Sequence, residues 1–339
     1  MKKIVLLLTF LMVLVSLFSC QQSKVNPNDG DTSNSDSEPT PVAEDISVIT
    51  LKGPTGMGMA KLMEDSETKS TFDTYHFTIA SAPEEVQAEI IKGNFDIAAV
   101  PVNLAAALYQ KTNGELEIAG INTLGVLYIL ENGNSVQTVS DLRGKTIYAS
   151  GQGATPEYSL RYILKQNGID PDNDVTIEYV AQHAELATMM VANKASIALL
   201  PEPNVSSVLS GNKQVRIALD LTQEWKKSTG EQEDMIQGCI VVNKKFAENH
   251  KEALLRFLKD YKDSVDYVNT DEKAAELIVK FGIIPKLEIA KSAIPNSNIC
   301  LIEGKEMQNK VEHFLKVLFD ANPKSVGGKM PDEDFYFKK

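Results

Sequence analysis

The stretch "GPTGMGM" places Gly53, Gly56 and Gly58 between an alternating strand pattern and a helical one. Glycines let a ligand approach the backbone closely, and the first N–H groups of a following helix are free donors. This composition predicts hydrogen bonding to a small molecule by Thr55, Gly56 and Met57. A simple turn between strand and helix is the alternative, in which Met57 belongs to the core.

A second glycine loop, "GQGATPE", starts like a dinucleotide-binding loop, but Pro156 stands where the third glycine belongs. The pattern therefore excludes a nucleotide site. Thr155 is predicted to cap the next helix, with Pro156 at its first position. The residues available to a small molecule are then Gln152, Gly153, Ala154 and Thr155.

Two segments that lie one hundred positions apart, "FDIAAVPVNL" and "ASIALLPEPN", share an apolar strand pattern followed by proline. After the proline, the first segment offers Asn103 and the second offers Glu202. An amide serves ligands of either polarity, whereas a carboxylate accepts from an amine or a heterocyclic N–H. For Glu202 the alternatives are a solvated carboxylate or one bonded to the neighbouring helix start. Ser81 and Gln237 complete the predicted ligand contacts.

The charge of these loops bears on the class of ligand. Lys52 is the one cationic residue in them, so nitrate or a sulfonate would rely on backbone N–H groups and helix dipoles. A small neutral or amine-bearing organic molecule, including a flat heteroaromatic compound, fits the loops better.

The segments around the loops also repeat. "EEVQAEIIKGN" and "AELATMMVANK" have apolar residues at helical spacing, and "YHFTIA" and "VTIEYV" alternate like strands. The predicted fold class is therefore α/β, with two duplicated Rossmann-like lobes of mostly parallel sheet. We place lobe 1 at 46–130, lobe 2 at 131–240, and the hinge return with C-terminal helices packed on the lobes at 241–339.

The carboxyl ends of parallel strands form the usual binding edge of such sheets, so all four loops are expected to face one cleft. "LGVLYILENG" leaves the first half and "IQGCIVVNKKF" follows the second. Both patterns predict strands that serve as hinge connections between the lobes.

The N-terminus, "MKKIVLLLTFLMVLVSLFSC", has two lysines before an apolar run that is short for a membrane span. It predicts a signal peptide at 1–19. The ending "LFSC" resembles the lipobox of bacterial lipoproteins, which implies lipidation of Cys20 and an extracytoplasmic protein anchored to the cell membrane. An ordinary cleaved signal is the alternative. Residues 20–45 have few apolar side chains and predict a flexible tether.

The overall composition excludes several classes of protein. The formal net charge is −12 and no basic stripe occurs, which argues against nucleic-acid binding. Apart from Cys20 the chain has Cys239 and Cys300, which either pair or remain thiols. The four histidines lie far apart, without an HExxH, GxSxG, cysteine-cluster or P-loop motif. We therefore predict no catalytic residue, no metal and no cofactor.

Taken together, these features resemble the solute-binding lipoproteins of ABC importers in the nitrate, sulfonate, taurine and thiamine-pyrimidine group. The similarity is carried by "KGNFDIAAVPVNLAAALY", "VSDLRGKTIYASGQGATPEYSLRYILKQNGIDPDNDVTIEYV" and "NKKFAENHKEALLRFLKDY", within residues 46 to 320. It implies a type II periplasmic-binding-protein fold that closes on its ligand like a Venus flytrap. It also implies a monomer that delivers the ligand to a permease with a separate ATPase. An enzyme of the same fold, of the pyrimidine synthase or menaquinone-pathway lyase type, and a surface lipoprotein without transport are the alternatives.

Overall fold

The computed structural model describes residues 41–230 and 234–339. The predicted signal peptide at 1–19, Cys20 and most of the predicted tether lie outside the described residues. Residues 43–339 form one compact unit. Within the described ranges, no helix has both the length and the apolar character needed to cross a membrane.

Strands and helices alternate along the chain, as the sequence predicts. The strands in chain order are β1 (Asp45–Leu51), β2 (Thr74–Ala80), β3 (Ile97–Pro101), β4 (Leu116–Leu124), β5 (Leu127–Asn132), β6 (Thr146–Ser150), β7 (Thr176–Val180), β8 (Ile197–Pro201), β9 (Val215–Asp220), β10 (Ile236–Asn243) and β11 (Ile299–Ile302). The helices are α1 (Pro54–Met57), α2 (Ala60–Glu67), α3 (Pro83–Lys92), α4 (Val102–Lys111), α5 (Thr155–Gln166), α6 (His183–Val191), α7 (Asn204–Gly211), α8 (Leu221–Ser228), α9 (Lys244–Asn249), α10 (Lys251–Thr270), α11 (Ala274–Lys280), α12 (Leu287–Ala293) and α13 (Gly304–Ala321). Short 3-10 turns occur at Val139–Leu142, Ile294–Asn296, Pro323–Val326 and Glu333–Phe335.

The first sheet has six strands in the order β11-β4-β10-β3-β1-β2. β1 pairs in parallel with both β2 and β3, while β10 is antiparallel to both β3 and β4. β1, β2, β3 and β4 therefore share one direction, and β10 and β11 run against them. We call this sheet and the helices on it the first lobe.

The second sheet repeats the arrangement with five strands in the order β7-β6-β8-β5-β9. β6 pairs in parallel with β7 and β8, and β5 is antiparallel to both β8 and β9. We call this sheet and its helices the second lobe. The matching strand order and the predominance of one strand direction confirm the predicted fold class of two related α/β lobes with mostly parallel sheets.

Each sheet contains an internal strand that enters it from the other half of the chain. β5 follows β4 after only Gly125 and Val126, yet it belongs to the second sheet. β10 follows the second half of the chain and lies between β3 and β4. Because β10 belongs to the first sheet, residues 236–240 lie there, although the predicted lobe 2 extends to 240. The domain limits 46–130, 131–240 and 241–339 remain a prediction.

The strands at the centre of each lobe form because both of their faces are covered. Ile97–Val100 in β3 and Ile197–Pro201 in β8 are buried, as expected of parallel strands between two layers of helices. Two shared positions, one hundred apart, pair with the parallel strand beside them: Ala98 pairs with Ile49 of β1, and Ala198 pairs with Tyr148 of β6. The apolar runs thus fix both strands at the same place in the two sheets.

One apolar cluster extends through both lobes, and α13 lies within it. Met307, Val311 and Phe314 on α13 are buried in this cluster together with residues of α4 and α5. α13 packs against both of these helices, and the rings of Phe314 and Trp225 lie 5.2 Å apart. The C-terminal segment is therefore shared by the two lobes rather than added to one of them.

The two cysteines of the folded part are free thiols. Cys239 is buried and Cys300 is partly buried, which resolves the alternative left open by the sequence in favour of thiols. Burial raises the pKa of the Cys300 thiol to about 12, so the thiol stays protonated at neutral pH.

Packing requires a small residue at Gly125, in the first crossover, where the chain passes from β4 to β5. A Cβ on Gly125 would lie 2.1 Å from Oγ1 of Thr222 and 2.6 Å from Cε of Met235. We expect Gly125→Ala to lower the free energy of unfolding by about 1–3 kcal/mol because it overpacks the crossover. Thermal unfolding measures the effect. Gly120→Ala in β4 is the control, since the one close contact of its Cβ, at 2.6 Å, is with the movable end of Leu301. Equal melting temperatures for the two variants would contradict this account.

Candidate functional site

Each lobe has a glycine loop (53–58 in the first, 151–155 in the second) and a proline loop (101–103 in the first, 201–203 in the second). The proline loop of the first lobe meets the glycine loop of the second. Asn103 lies in the first turn of α4, and Thr155 is the first residue of α5. The Thr155 hydroxyl donates to Oδ1 of Asn103 at 3.2 Å, while Nδ2 of Asn103 approaches the carbonyl of Ser325 at 3.5 Å. Two predicted ligand residues from different lobes are therefore in direct contact at the carboxyl ends of their sheets.

The reciprocal pair of loops also meets. A Cβ on Gly53, in the first glycine loop, would lie 3.6 Å from Cδ of Pro203, in the second proline loop. Gly53 has φ of 85°, a conformation that favours glycine. The glycine loop of each lobe thus faces the proline loop of the other, which is the arrangement expected of a cleft between related halves.

The first glycine loop is held in position by a side-chain amide that the sequence analysis did not single out. Nδ2 of Asn122, a buried residue of β4, donates to the carbonyl of Thr55 at 3.1 Å. Gly56 is required by space, because a Cβ there would lie 2.2 Å from the carbonyl oxygen of Leu51. Met57 is fully buried in the core of the first lobe, as the core alternative predicted.

The second glycine loop corrects one expectation. The N-cap of α5 is Ala154, not Thr155, and Pro156 is the second helical residue. The backbone N–H of Gly153 donates to the Glu157 carboxylate at 2.6 Å, so a side chain of the first turn bonds back to the loop. The Thr155 hydroxyl is consequently available for its contact with the other lobe.

The outer parts of the two lobes carry the remaining predicted loop residues. Gln152 and Gly153 are exposed. Ser81 is also exposed, and its N–H donates to the Glu85 carboxylate at 3.1 Å. These residues are not among those that the structure brings into contact between the lobes.

Glu202 is bound to the start of α7. Its two carboxylate oxygens accept from the backbone N–H and the hydroxyl of Ser206, each at 3.0 Å, and Glu202 is only 2% exposed. Burial raises the pKa of Glu202 to about 7, although hydrogen bonds from Ser206 and the side chain of Asn296 act in the opposite direction. The local geometry of Glu202 therefore matches the alternative in which its carboxyl is bonded to the start of the neighbouring helix.

A third interlobe contact joins Glu202 to the 3-10 turn Ile294–Asn296. The Tyr128 hydroxyl, on β5 of the second lobe, donates to the carbonyl of Asn296 at 2.9 Å. Beside this turn, Nδ2 of Asn298 donates to the carbonyl of Gly125 at 2.5 Å. No local sequence pattern indicates the partners of Tyr128, because the contact spans 168 positions.

Gln237 lies at an irregularity between β4 and β10. The register of the pair shifts between Ile236 and Gly238 and again beside Asn122, so neither strand continues its regular alternation there. Such bulges commonly redirect side chains next to binding sites. Oε1 of Gln237 is buried and has no hydrogen-bond partner among the described residues. A donor on a bound molecule would satisfy this oxygen.

The described cavities lie away from the paired loops. One of about 370 Å³ is lined by Phe95, Leu116 and neighbouring residues, at the amino ends of β3 and β4. Another of about 950 Å³ lies between the end of α10, α11 and the 3-10 turn at Ile294. Within residues 41–230 and 234–339, no cluster of His, Cys, Asp and Glu is arranged to hold a metal ion.

Solved structures share this two-lobed fold. A crystal structure of an ABC transporter from Parabacteroides distasonis has 24% identity and a TM-score of 0.74, covering 87% of this chain and 99% of that one. The periplasmic aliphatic sulphonate binding protein SsuA from Escherichia coli has 16% identity and a TM-score of 0.69, with coverages of 87% and 92%. The periplasmic nitrate-binding protein NrtA from Synechocystis PCC 6803 has 11% identity and a TM-score of 0.56, covering 84% of each chain. These likenesses identify the fold.

The family follows from the sequence match. The family model described as ABC transporter, phosphonate, periplasmic substrate-binding protein matches residues 58–286. The chain therefore belongs to this family of ABC transporter substrate-binding proteins. The comparison with curated proteins gave no match. The resemblance stated from the sequence is confirmed, and so is its general implication of an extracytoplasmic protein that binds a small ligand and works with a permease.

The raised pKa of Glu202 gives a prediction about pH. Since burial raises this pKa from 4.5 to about 7, the folded protein favours the protonated carboxyl. The associated stability is complete below the unfolded pKa and is lost as the pH rises through about 7. We expect the melting temperature of the native chain to fall from pH 5 to pH 8 relative to that of Glu202→Gln. The drop should be a few degrees, since about 1 kcal/mol shifts a domain of this size by roughly 2–4 °C.

The control for this measurement is Glu185→Gln, which removes an exposed carboxylate from α6. It should follow the pH dependence of the native chain. If Glu202→Gln shows the same pH dependence as the native chain, Glu202 is not the group responsible.

Proposed function

We propose that this chain is an extracytoplasmic solute-binding lipoprotein that captures a small organic molecule between its lobes and delivers it to an ABC permease. One observation carries the proposal: each glycine loop meets the opposite proline loop, through Asn103 with Thr155 and through Gly53 with Pro203. Loops at the carboxyl ends of two sheets that approach in this way form walls that can close on a solute. The energy for import comes from the separate ATPase of the transporter.

The solute we propose is neutral or amine-bearing, and a flat heteroaromatic compound is the favoured form. The side chains that approach between the lobes are amides and hydroxyls, carried by Asn103, Tyr128, Thr155 and Asn296. The carboxyl of Glu202 lies beside them and is bonded to Ser206. None of these residues is cationic, so a fully charged anion would lack the paired side-chain donors that usually hold it. Oε1 of Gln237 adds an acceptor without a partner in the described part of the chain.

A thermal-shift screen of the purified protein tests the solute class. The panel contains heteroaromatic amines, pyrimidines, aliphatic amines, sulfonates, phosphonates and nitrate. A binding solute raises the melting temperature by mass action, with about 2.7 kcal/mol of stabilisation at a hundredfold excess over Kd. We expect stabilisation by an amine or a heteroaromatic compound and none by nitrate.

The variant Gln237→Leu is matched to this screen, because it removes the acceptor while keeping side-chain bulk. It should reduce the shift given by the best solute, and Gln166→Leu, at the exposed C-terminal end of α5, should leave the shift intact. Stabilisation by sulfonates or phosphonates alone would contradict the proposed solute class. Conversion of a stabilising compound into a product would instead support an enzyme. A permease and an ATPase gene beside this one distinguish transport from a surface role without transport.

The lipid anchor is a separate part of the proposal and rests on "LFSC" and the apolar run before it. Two acyl chains hold a protein on a bilayer firmly, because each buried methylene contributes about 0.8 kcal/mol. We expect the native protein to fractionate with membranes and to incorporate labelled palmitate, and Cys20→Ser to lose both properties. Cys300→Ser is the control and should keep both. Label retained in Cys20→Ser would contradict lipidation at this residue.

The oligomeric state belongs to the same proposal. A single chain contains both walls of the cleft, so one protomer suffices for binding, and we expect a monomer.

A further inference from the structure

The contact between the lobes at Tyr128, Glu202 and Asn296 is made by side-chain and backbone groups of the chain itself. Tyr128 and Glu202 belong to the second lobe, and Asn296 belongs to the 3-10 turn that follows α12 of the first. α12 also packs against α7, the helix to which Glu202 is bonded. The lobes therefore touch along a continuous strip from α12 to the second proline loop.

The three residues are linked by direct interactions. The Tyr128 hydroxyl donates to the Asn296 carbonyl at 2.9 Å. The Asn296 side chain is close enough to Glu202 to act on its ionisation, and its amide also donates to the carbonyl of Ser292 at 3.1 Å. Tyr128 is 5% exposed and Glu202 is 2% exposed, so closing the strip removes both polar groups from water.

We propose that Tyr128, Glu202 and Asn296 form an interlobe latch, which holds the lobes together and loosens when Glu202 loses its proton. In this reading Glu202 is a positioning residue for closure, whereas the solute is held by the other polar groups of the cleft. The inference goes beyond the proposed function, since it concerns how the contact between the lobes responds to pH.

The direction of the effect follows from burial. With the lobes in contact Glu202 is enclosed, and a carboxylate in such surroundings is disfavoured relative to the neutral acid. When the lobes separate, the carboxyl gains water and ionises more easily. Closure therefore takes up a proton, and the closed form is favoured at low pH.

The surrounding charged groups do not provide a competing switch. α7 has no titratable residue, and α12 carries Glu288 and Lys291, both of which are exposed. Lys52 precedes Gly53 and is also exposed. Asp220, at the end of β9, accepts from the Thr222 N–H at 2.8 Å. Burial first, and then the charges of Asp220 and Glu202, raise the pKa of Tyr128, which therefore remains a donor throughout the physiological range.

Distance measurement between spin labels tests the latch. Labels at Glu84→Cys and Ala184→Cys report the separation of the lobes, because both positions are exposed and start equivalent helices. The full chain is used in detergent, with Cys20 and Cys300 replaced by serine, after unfolding and refolding to remove any solute. Double electron–electron resonance is recorded at pH 5.5 and pH 8.5.

We expect a short distance to dominate at pH 5.5 and the distribution to shift to longer distances at pH 8.5. Glu202→Gln should keep the short distance at both values, because the amide is neutral throughout. Tyr128→Phe should lengthen the distance at both values by removing the donor to Asn296. Tyr148→Phe, a tyrosine of β6 outside the latch, is the control and should match the parent protein.

An unchanged distribution between the two pH values overturns the proposal, as does a Glu202→Gln variant that follows the parent. If Tyr128→Phe does not fold, the pH series of the parent and of Glu202→Gln decides alone. The thermal shift by a stabilising solute is measured on the same proteins. If the distances do not respond to pH but a solute still binds, the latch is refuted and the proposed function stands. If the distances respond to pH but no solute binds, the proposed function is contradicted and the latch stands.

Discussion

The two crossover strands are the constraint on which the rest of the structure depends. β5 and β10 each insert between two strands of the opposite half, so neither sheet is complete without chain from the other side. A strand inside a sheet has both of its backbone edges paired, and removing it would expose two rows of hydrogen-bonding groups. The lobes are therefore coupled in folding. This coupling explains why residues 43–339 form one compact unit while still presenting two opposed walls.

The same constraint explains the crosswise pairing of the loops. The parallel strands of both lobes end at the side where the crossovers pass, so the glycine and proline loops face each other there. Repetition of the half makes the contacts reciprocal: Gly53 with Pro203, and Asn103 with Thr155. A binding site assembled in this way has equivalent backbone on its two walls. Its chemical preference must come from positions at which the halves differ, such as Asn103 against Pro203.

Periodicity predicted the strands and loops because it reflects local burial, and the hundred-position offset places Ile97–Pro101 and Ile197–Pro201 at equivalent sites. The partners of individual side chains depend on distant segments and were not predictable in the same way. Threonine is a residue type that favours the N-cap position, yet the hydroxyl of Thr155 bonds to Asn103, 52 positions away. Asn122 and Tyr128 lie in apolar strands whose pattern gives no reason to single them out. Their roles follow from a bulge and from the 3-10 turn at Ile294–Asn296, neither of which has a periodic signature.

Glu202 shows why composition alone does not assign a carboxylate to a ligand. Both of its oxygens bond to Ser206 of the same lobe, and the residue is only 2% exposed. A group whose burial changes on closure contributes free energy to closure whether or not it touches the solute. Contacts that the chain itself makes between the lobes raise the apparent affinity for a solute by favouring the closed form, but they also reduce the difference between empty and loaded protein. A transporter must recognise that difference, so a latch of this kind is useful only if it is weak or can be released. Loss of a proton from Glu202 provides such a release without disturbing the residues that would contact the solute.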